Sequence, residues 1–201
     1  MKHFIFDMGG VLFKQIDIAL KKDEPSFVKL ETPEIEKKFR NNFNELQKGI
    51  ITDVEFAKIM APHFNKKGLT PGEYKQNYID IYNKSGEITP HSVEMLKELK
   101  QSGYKVYLLS NLHEMDFDFF SKLFDVSIFD RLFLSYKMHM IKPDDEIYKA
   151  VIKEIGDDPK TMCFFDDRKE NVDAAIQNGM NALITTGDNL KQNIELAKNI
   201  N

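Results

Sequence analysis

The sequence holds one cysteine, little net charge and no long apolar run, and each shortage closes off a class of protein. Cys163 has no partner for an internal disulfide and lies within an apolar run, so it reads as a small core residue. A net charge of -4 over 201 residues gives no electrostatic case for binding nucleic acid or an anionic membrane. No stretch approaches the roughly 20 apolar residues that span a bilayer. No basic, apolar, small-residue leader is recognisable either, and the expected location is cytoplasmic. Internal repeats and low-complexity segments are missing as well. Hydrophobic residues at 42% and charged residues at 30% are ordinary for a globular protein, long enough for one core or a core with a smaller inserted domain.

What is present begins at Phe4-Ile5-Phe6-Asp7-Met8-Gly9-Gly10-Val11. A short apolar run bounded by glycine reads as a strand buried on both faces, with Asp7 at its carboxyl end. Gly9 and Gly10 permit a sharp turn and would offer bare N–H groups to an anion. From Phe13 the pattern is helical for some seventy residues. Thr32-Pro33, Thr52 with Glu55, and Thr70 with Glu73 are helix starts, the last two as capping boxes. They precede apolar stripes at Ile35, Phe39, Phe43 and Leu46; at Val54, Phe56, Ile59 and Met60; and at Tyr74, Tyr78, Ile81 and Tyr82. Gly49 is the expected stop of the first. Alternation of strand and helix resumes at Thr89-Pro90, which reads as a cap for a helix carrying Val93, Leu96 and Leu99. Further strands are expected at 105–109, 132–134, 162–165 and 182–184, with helices at 117–124, 145–155, 171–178 and the C-terminal end. This order implies a three-layer, Rossmann-like α/β core with a central parallel sheet. The core would comprise residues 1–14 and 87–201, with an α-helical cap inserted at 15–86.

The carboxyl ends of parallel strands open on one edge, and there this chain places its reactive side chains. Asp7, Ser110-Asn111 and Asp166-Asp167 each follow an apolar strand directly, and Lys142 precedes Pro143 on a loop that can reach the same edge. Carboxylate oxygens suit Mg²⁺, which takes one or two carboxylates and keeps several waters. A lysine and a hydroxyl suit phosphate oxygens.

Asp7-Met8-Gly9-Gly10-Val11, Ser110-Asn111, Lys142-Pro143 and Phe165-Asp166-Asp167 resemble, in order and spacing, the four motifs of the haloacid dehalogenase-like hydrolase superfamily. The insertion is similar to that family's type-1 helical cap. Phe6-Asp7-Met8-Gly9-Gly10-Val11-Leu12, together with Asp166-Asp167-Arg168-Lys169-Glu170-Asn171, resembles the branch of α-glucose-1-phosphate phosphatases and of the N-terminal phosphatase domains of epoxide hydrolases. The resemblance implies a Mg²⁺-dependent phosphatase of a small phosphorylated metabolite, such as a sugar phosphate, acting through an aspartyl-phosphate. Asp7 would be the nucleophile. The metal would be held by Asp7, the Gly9 carbonyl and Asp167, with Asp166 in support. Ser110, the Asn111 backbone and Gly10 would bind phosphate, and Lys142 would neutralise Asp7 and the phosphate.

Two positions depart from the pattern. Gly9 stands where most family phosphatases carry a second aspartate as general acid and base, and His113 is the candidate substitute. His139, three residues before Lys142, stands where relatives commonly have glycine. Two alternatives remain open at this point. One is a dehalogenase in which Asp7 attacks carbon without a metal, which adjacent Asp166 and Asp167 disfavour because unshielded carboxylates repel. The other is an idle relative that binds a phosphorylated ligand or a protein, which Gly9 favours and intact Asp7, Lys142 and Asp167 disfavour.

Overall fold

A computed structural model describes residues 1–14, 25 and 27–200. Five parallel strands form one sheet: β1 (His3–Phe6), β2 (Lys105–Ser110), β3 (Arg131–Leu134), β4 (Met162–Asp166) and β5 (Asn181–Ile184), in the order β3-β2-β1-β4-β5. The first strand is central, as its all-apolar run implies, and Phe6 pairs in register with Leu108 on one side and Phe165 on the other. Period-two alternation splits these strands between two cores. Phe4, Phe6, Val106, Leu108, Cys163 and Phe165 face one side, where α4 (Ser92–Gln101), α5 (Glu114–Leu123) and α9 (Leu190–Lys198) contribute Leu96, Leu99, Phe120, Leu190 and Ile194. Ile5, Tyr107, Leu109, Met162 and Phe164 face the other, beneath α7 (Asp145–Ile155) and α8 (Lys169–Gln177). Cys163 is buried in the first of these cores, and burial pushes its thiol up to about 12.

Between β1 and β2 lie α1 (Pro33–Gln47), α2 (Asp53–Met60) and α3 (Pro71–Ser85). Each begins where its cap signal stands. Thr32 accepts from the Ile35 amide, and both capping boxes are closed, with Glu55 reaching back to Thr52 and Glu73 to Thr70. These helices bury Leu46, Phe56, Ala57, Met60 and Tyr74 in a cluster of their own, joined from α5 by Met115. Helix is not continuous after Phe13: Val28 pairs with Phe64 in an isolated antiparallel bridge, and residues 15–24 and 26 lie outside the described residues.

Three helix starts differ from the sequence reading. Thr89 does not cap α4; its hydroxyl donates to the Val11 carbonyl at 2.7 Å, fastening the end of the insertion to the turn after β1. The helix begins at Ser92 after His91, which takes a left-handed conformation. Helix α5 starts at Glu114 rather than 117, and α8 at Lys169 rather than 171. A short extra turn, α6 (Ser135–Met138), follows β3 and ends at His139, whose φ of 57° explains why glycine is the easier residue there. The His139 ring is bonded through Nδ1 to the Lys48 carbonyl at 2.8 Å, just beyond α1.

Candidate active site

Every strand-end residue singled out from the sequence reaches the same edge. Asp7 follows β1 and is only 7% exposed. One of its carboxylate oxygens, Oδ1, accepts from the Ser110 hydroxyl at 2.6 Å, the Met8 amide at 2.7 Å and the Lys142 ammonium at 3.0 Å. The other, Oδ2, accepts no hydrogen bond among the described residues, so the carboxylate is oriented through one oxygen and bare at the other.

Lys142 is buried, and its ammonium lies 3.0 Å from Asp7 Oδ1, 2.6 Å from Asp166 Oδ2 and 3.1 Å from the Leu109 carbonyl. Three acceptors use all three of its donors and aim it between the two carboxylates. Burial opposes its charge, but Asp7 and Asp166 overcome that and hold its pKa above the ordinary lysine value. The loop carrying it is clamped by Asn111, whose side-chain Oδ1 accepts from the Lys142 amide at 2.8 Å while Nδ2 donates to the Lys142 carbonyl at 2.7 Å.

Asp166 is fully buried and takes the Arg168 amide at 2.9 Å and the Asn171 amide group at 2.9 and 3.0 Å, besides Lys142. Asp167 beside it is half-buried and turned toward Gly10. A Cβ on Gly10 would sit 2.5 Å from Asp167 Oδ2, and Gly10 has a φ of 76°. Glycine is therefore needed there for clearance and for backbone conformation. The Gly10 N–H is not bare, because it donates to the Phe13 carbonyl at 2.8 Å. That corrects its expected place among the phosphate donors.

Asp7, Asp166 and Asp167 each offer a carboxylate oxygen within 4.8 Å of the others. With one lysine against three acids, the cluster is short of positive charge. Burial, with Asp166 adding to it, pushes Asp7 up to about 7 against the pull of Lys142, and burial and Asp166 raise Asp167 also. Asn171 Oδ1 is a buried acceptor without a hydrogen-bond partner among the described residues. Hard oxygens, surplus negative charge and an unsatisfied acceptor are what a divalent cation such as Mg²⁺ would relieve, and the residues fit one.

A cleft of about 320 Å³ opens over this edge, and Gly9, Phe43, Gln47, Tyr82 and Asp116 line it with the strand-end residues. An added Cβ at Gly9 would meet nothing within 4 Å, so that position is open space. His113 does not line the cleft. It is 1% exposed, its Nδ1 lies 2.6 Å from Asp53 Oδ1 and its Nε2 lies 3.3 Å from Asp116 Oδ2. Its expected role as an acid at the site is therefore replaced by that of a buried link between α2 and α5. Sequence reasoning missed Asn171, Tyr82 and Asp116. Asn171 had a signal, since it stands five residues after Asp166 in the motif already singled out. Tyr82 and Asp116 had none, because only folding brings α3 onto the start of α5.

Among proteins similar to this chain, a D-ribitol-5-phosphate phosphatase of Bacteroides thetaiotaomicron is 29% identical over 186 residues, covering 86% of this chain and 85% of the relative. A sesquiterpene phosphatase of Aspergillus oryzae is 31% identical over 202 residues, covering 97% of this chain and 94% of the relative. A haloacid dehalogenase family enzyme from Bacteroides thetaiotaomicron, crystallised with magnesium and inorganic phosphate, superposes with a TM-score of 0.72 at 29% identity, covering 91% of this chain and 93% of that one. The family model described as haloacid dehalogenase-like hydrolase matches residues 1–179, and with the strand-end carboxylates, the buried lysine and the parallel sheet already in place, the chain belongs to that family.

Proposed function

We propose that the protein is a Mg²⁺-dependent phosphatase that hydrolyses a small phosphorylated metabolite through an aspartyl-phosphate on Asp7. The observation that carries this reading is Lys142, buried 3.0 Å from Asp7 and 2.6 Å from Asp166 with all its donors used. Burying a lysine with two carboxylates carries a desolvation cost, and the cation so placed stands where an incoming phosphate would bring further negative charge. Both named relatives are phosphatases with very different alcohols, so what they share is hydrolysis of the phosphate ester.

In this reading Asp7 attacks phosphorus with Oδ2, while Ser110, Lys142 and the Met8 amide hold Oδ1 and set the line of attack. Lys142 offsets charge on the carboxylate and the phosphoryl oxygens. The Asn111 backbone N–H takes a phosphoryl oxygen, and the Ser110 hydroxyl does so only by turning its one hydrogen away from Asp7 Oδ1. Asp7, the Gly9 carbonyl and Asp167 would hold the magnesium, with Asp166 and Asn171 behind them. When bound, the cation supplies charge compensation between the carboxylates and the phosphate. Residues 15–86 act as a cap over a core of 1–14 and 87–201, and α1 and α3 bring Phe43, Gln47 and Tyr82 to the cleft. Gln47 and Asp116 bring polar groups to it, and Phe13, Phe43 and Tyr82 offer flat apolar faces. That lining suits a hydroxylated leaving group such as a sugar or polyol.

The test is phosphate release from a panel of phosphorylated metabolites with and without Mg²⁺, alongside Asp167→Ala. Release that needs both the metal and Asp167 is expected. Turnover by Asp167→Ala equal to wild type at limiting Mg²⁺ overturns the metal assignment, and no release from any phosphate overturns the activity.

A further inference from the structure

The reading above leaves a gap in proton transfer: Gly9 carries no acid, and the expected substitute, His113, is sealed away from the cleft. Among the described residues, seven side chains lining the cleft carry charge or a titratable hydroxyl: Asp7, Lys14, Tyr82, Asp116, Lys142, Asp167 and Arg168. Asp7, Lys142 and Asp167 are committed to the phosphate and the metal. Lys14 is an exposed cation paired with Glu87 at 3.2 Å, and an arginine does not give up its proton. Tyr82 and Asp116 remain, bonded to each other at 2.6 Å.

We infer that Asp116 is the proton carrier of this site, positioned by Tyr78 and Tyr82 and backed by His113. Its side chain is only a tenth exposed, yet it lines the cleft. Oδ1 accepts from the Tyr82 hydroxyl at 2.6 Å and from the Tyr78 hydroxyl, which fixes the rotamer. Burial and the neighbouring Asp116 charge hold both tyrosines well above their ordinary pKa, so they remain donors and are poor sources of a proton. Oδ2 faces the His113 backbone N–H and, at 3.3 Å, its Nε2, which gives a proton on Oδ2 a second place to reside. Asp53 Oδ1 lies 2.6 Å from Nδ1 on the far side of that ring. The groups facing Asp116 are thus Tyr74, Tyr78 and Tyr82 from α3 and His113 beside it, with Asp53 from α2 beyond the His113 ring.

The inference rests on the phosphatase reading and completes its two steps. In the first, an Asp7 oxygen bonds phosphorus, the bond from phosphorus to the alcohol oxygen breaks, and the proton shared between His113 Nε2 and Asp116 Oδ2 passes through Asp116 to that oxygen. In the second, a water oxygen bonds phosphorus, the bond to Asp7 breaks, and the proton lost by water returns to Asp116. Alcohol and inorganic phosphate leave, and both carboxyls are restored.

The experiment measures kcat/KM with Mg²⁺ for p-nitrophenyl, phenyl and ethyl phosphate in wild type, Asp116→Asn and Tyr82→Phe. General acid–base assistance is worth about 10²–10⁴-fold, so Asp116→Asn is expected to lose about that much on ethyl phosphate and no more than about fivefold on p-nitrophenyl phosphate. Tyr82→Phe should lose less, and more evenly. An equal loss from Asp116→Asn on all three substrates, or none, overturns the inference. So does a selective loss from Tyr82→Phe while Asp116→Asn is spared. A wild type that hydrolyses none of the three overturns the phosphatase reading together with this one, whereas an active wild type with unselective variants overturns this one alone.

Discussion

Two buried clusters in this protein have the same composition plan and opposite origins. At the sheet edge, Lys142 sits between Asp7 and Asp166; between the helices, His113 sits between Asp53 and Asp116. The first is built on three strand ends and the loop after β3, so pairing of adjacent strands fixes its geometry. The second joins α2, α3 and α5, and its shape depends on how the insertion packs on the core. On the proposed function, rigid placement suits a nucleophile that must be held in line with phosphorus. On the same proposal, a cluster joining inserted helices to α5 suits a group that meets the variable part of a substrate.

Breaking the first cluster should have the largest effect. Lys142→Met leaves Asp7 and Asp166 buried against each other, and removing one partner of a buried ion pair costs about 3–5 kcal/mol. Loss of all detectable phosphate release and a lowered melting temperature are expected; a variant with wild-type kcat would show that the lysine is not part of the chemistry.

Asp7→Asn should also abolish turnover, but with the opposite effect on stability. The native pKa of Asp7 is raised by burial from 3.8 to about 7, so in the metal-free protein the native state holds a proton that the unfolded chain has released. Its share of stability is therefore lost as pH rises from about 4 to about 7. Thermal melts of the metal-free protein should show this fall, Mg²⁺ should reverse it at neutral pH, and Asp7→Asn should flatten it. An unchanged pH dependence in the variant would assign the slope to another group.

A smaller effect on the same edge is expected from Gly10→Ala. The new methyl must displace Asp167 from 2.5 Å and hold a left-handed backbone, which costs about 1–2 kcal/mol. The Mg²⁺ concentration for half-maximal activity should rise, which a metal titration reads directly.

The second cluster should respond differently. His113→Ala removes the cation-capable partner of buried Asp116 and partly buried Asp53, and stability should fall by about 3 kcal/mol. Activity on p-nitrophenyl phosphate, measured well below the melting temperature, should stay within a few-fold of wild type. Collapse of aryl activity as complete as in Lys142→Met would erase the distinction between the clusters. The smallest change is His139→Gly. It relieves a left-handed residue but loses the 2.8 Å bond to the Lys48 carbonyl, and with each effect worth about 1 kcal/mol the melting temperature should hardly move.

The difference between the clusters also explains what could be read in advance. Phe4 to Phe6 and Met162 to Phe165 are apolar without interruption, which demands burial on both faces; a parallel sheet follows, and with it the convergence of Asp7, Ser110 and Asp166 at one edge. Thr52 with Glu55 and Thr70 with Glu73 are local reciprocal bonds, so their helices began where the spacing said. Thr89 was misread because its hydroxyl had a distant acceptor, Val11, that no local pattern records. His113 looked like a loop histidine near the site because its distance from Ser110 along the chain is short, while its orientation depends on Asp53, sixty residues earlier in an inserted helix. Asp116 lay unmarked in a Phe-rich helix for the same reason. Strand-end chemistry is carried by hydrogen-bonded register and the period of the side chains, which are local in the sequence. Which insertion side chains meet α5 is set by the packing of Tyr78, Tyr82 and Met115 across segments far apart in the chain, and only the tertiary structure decided it.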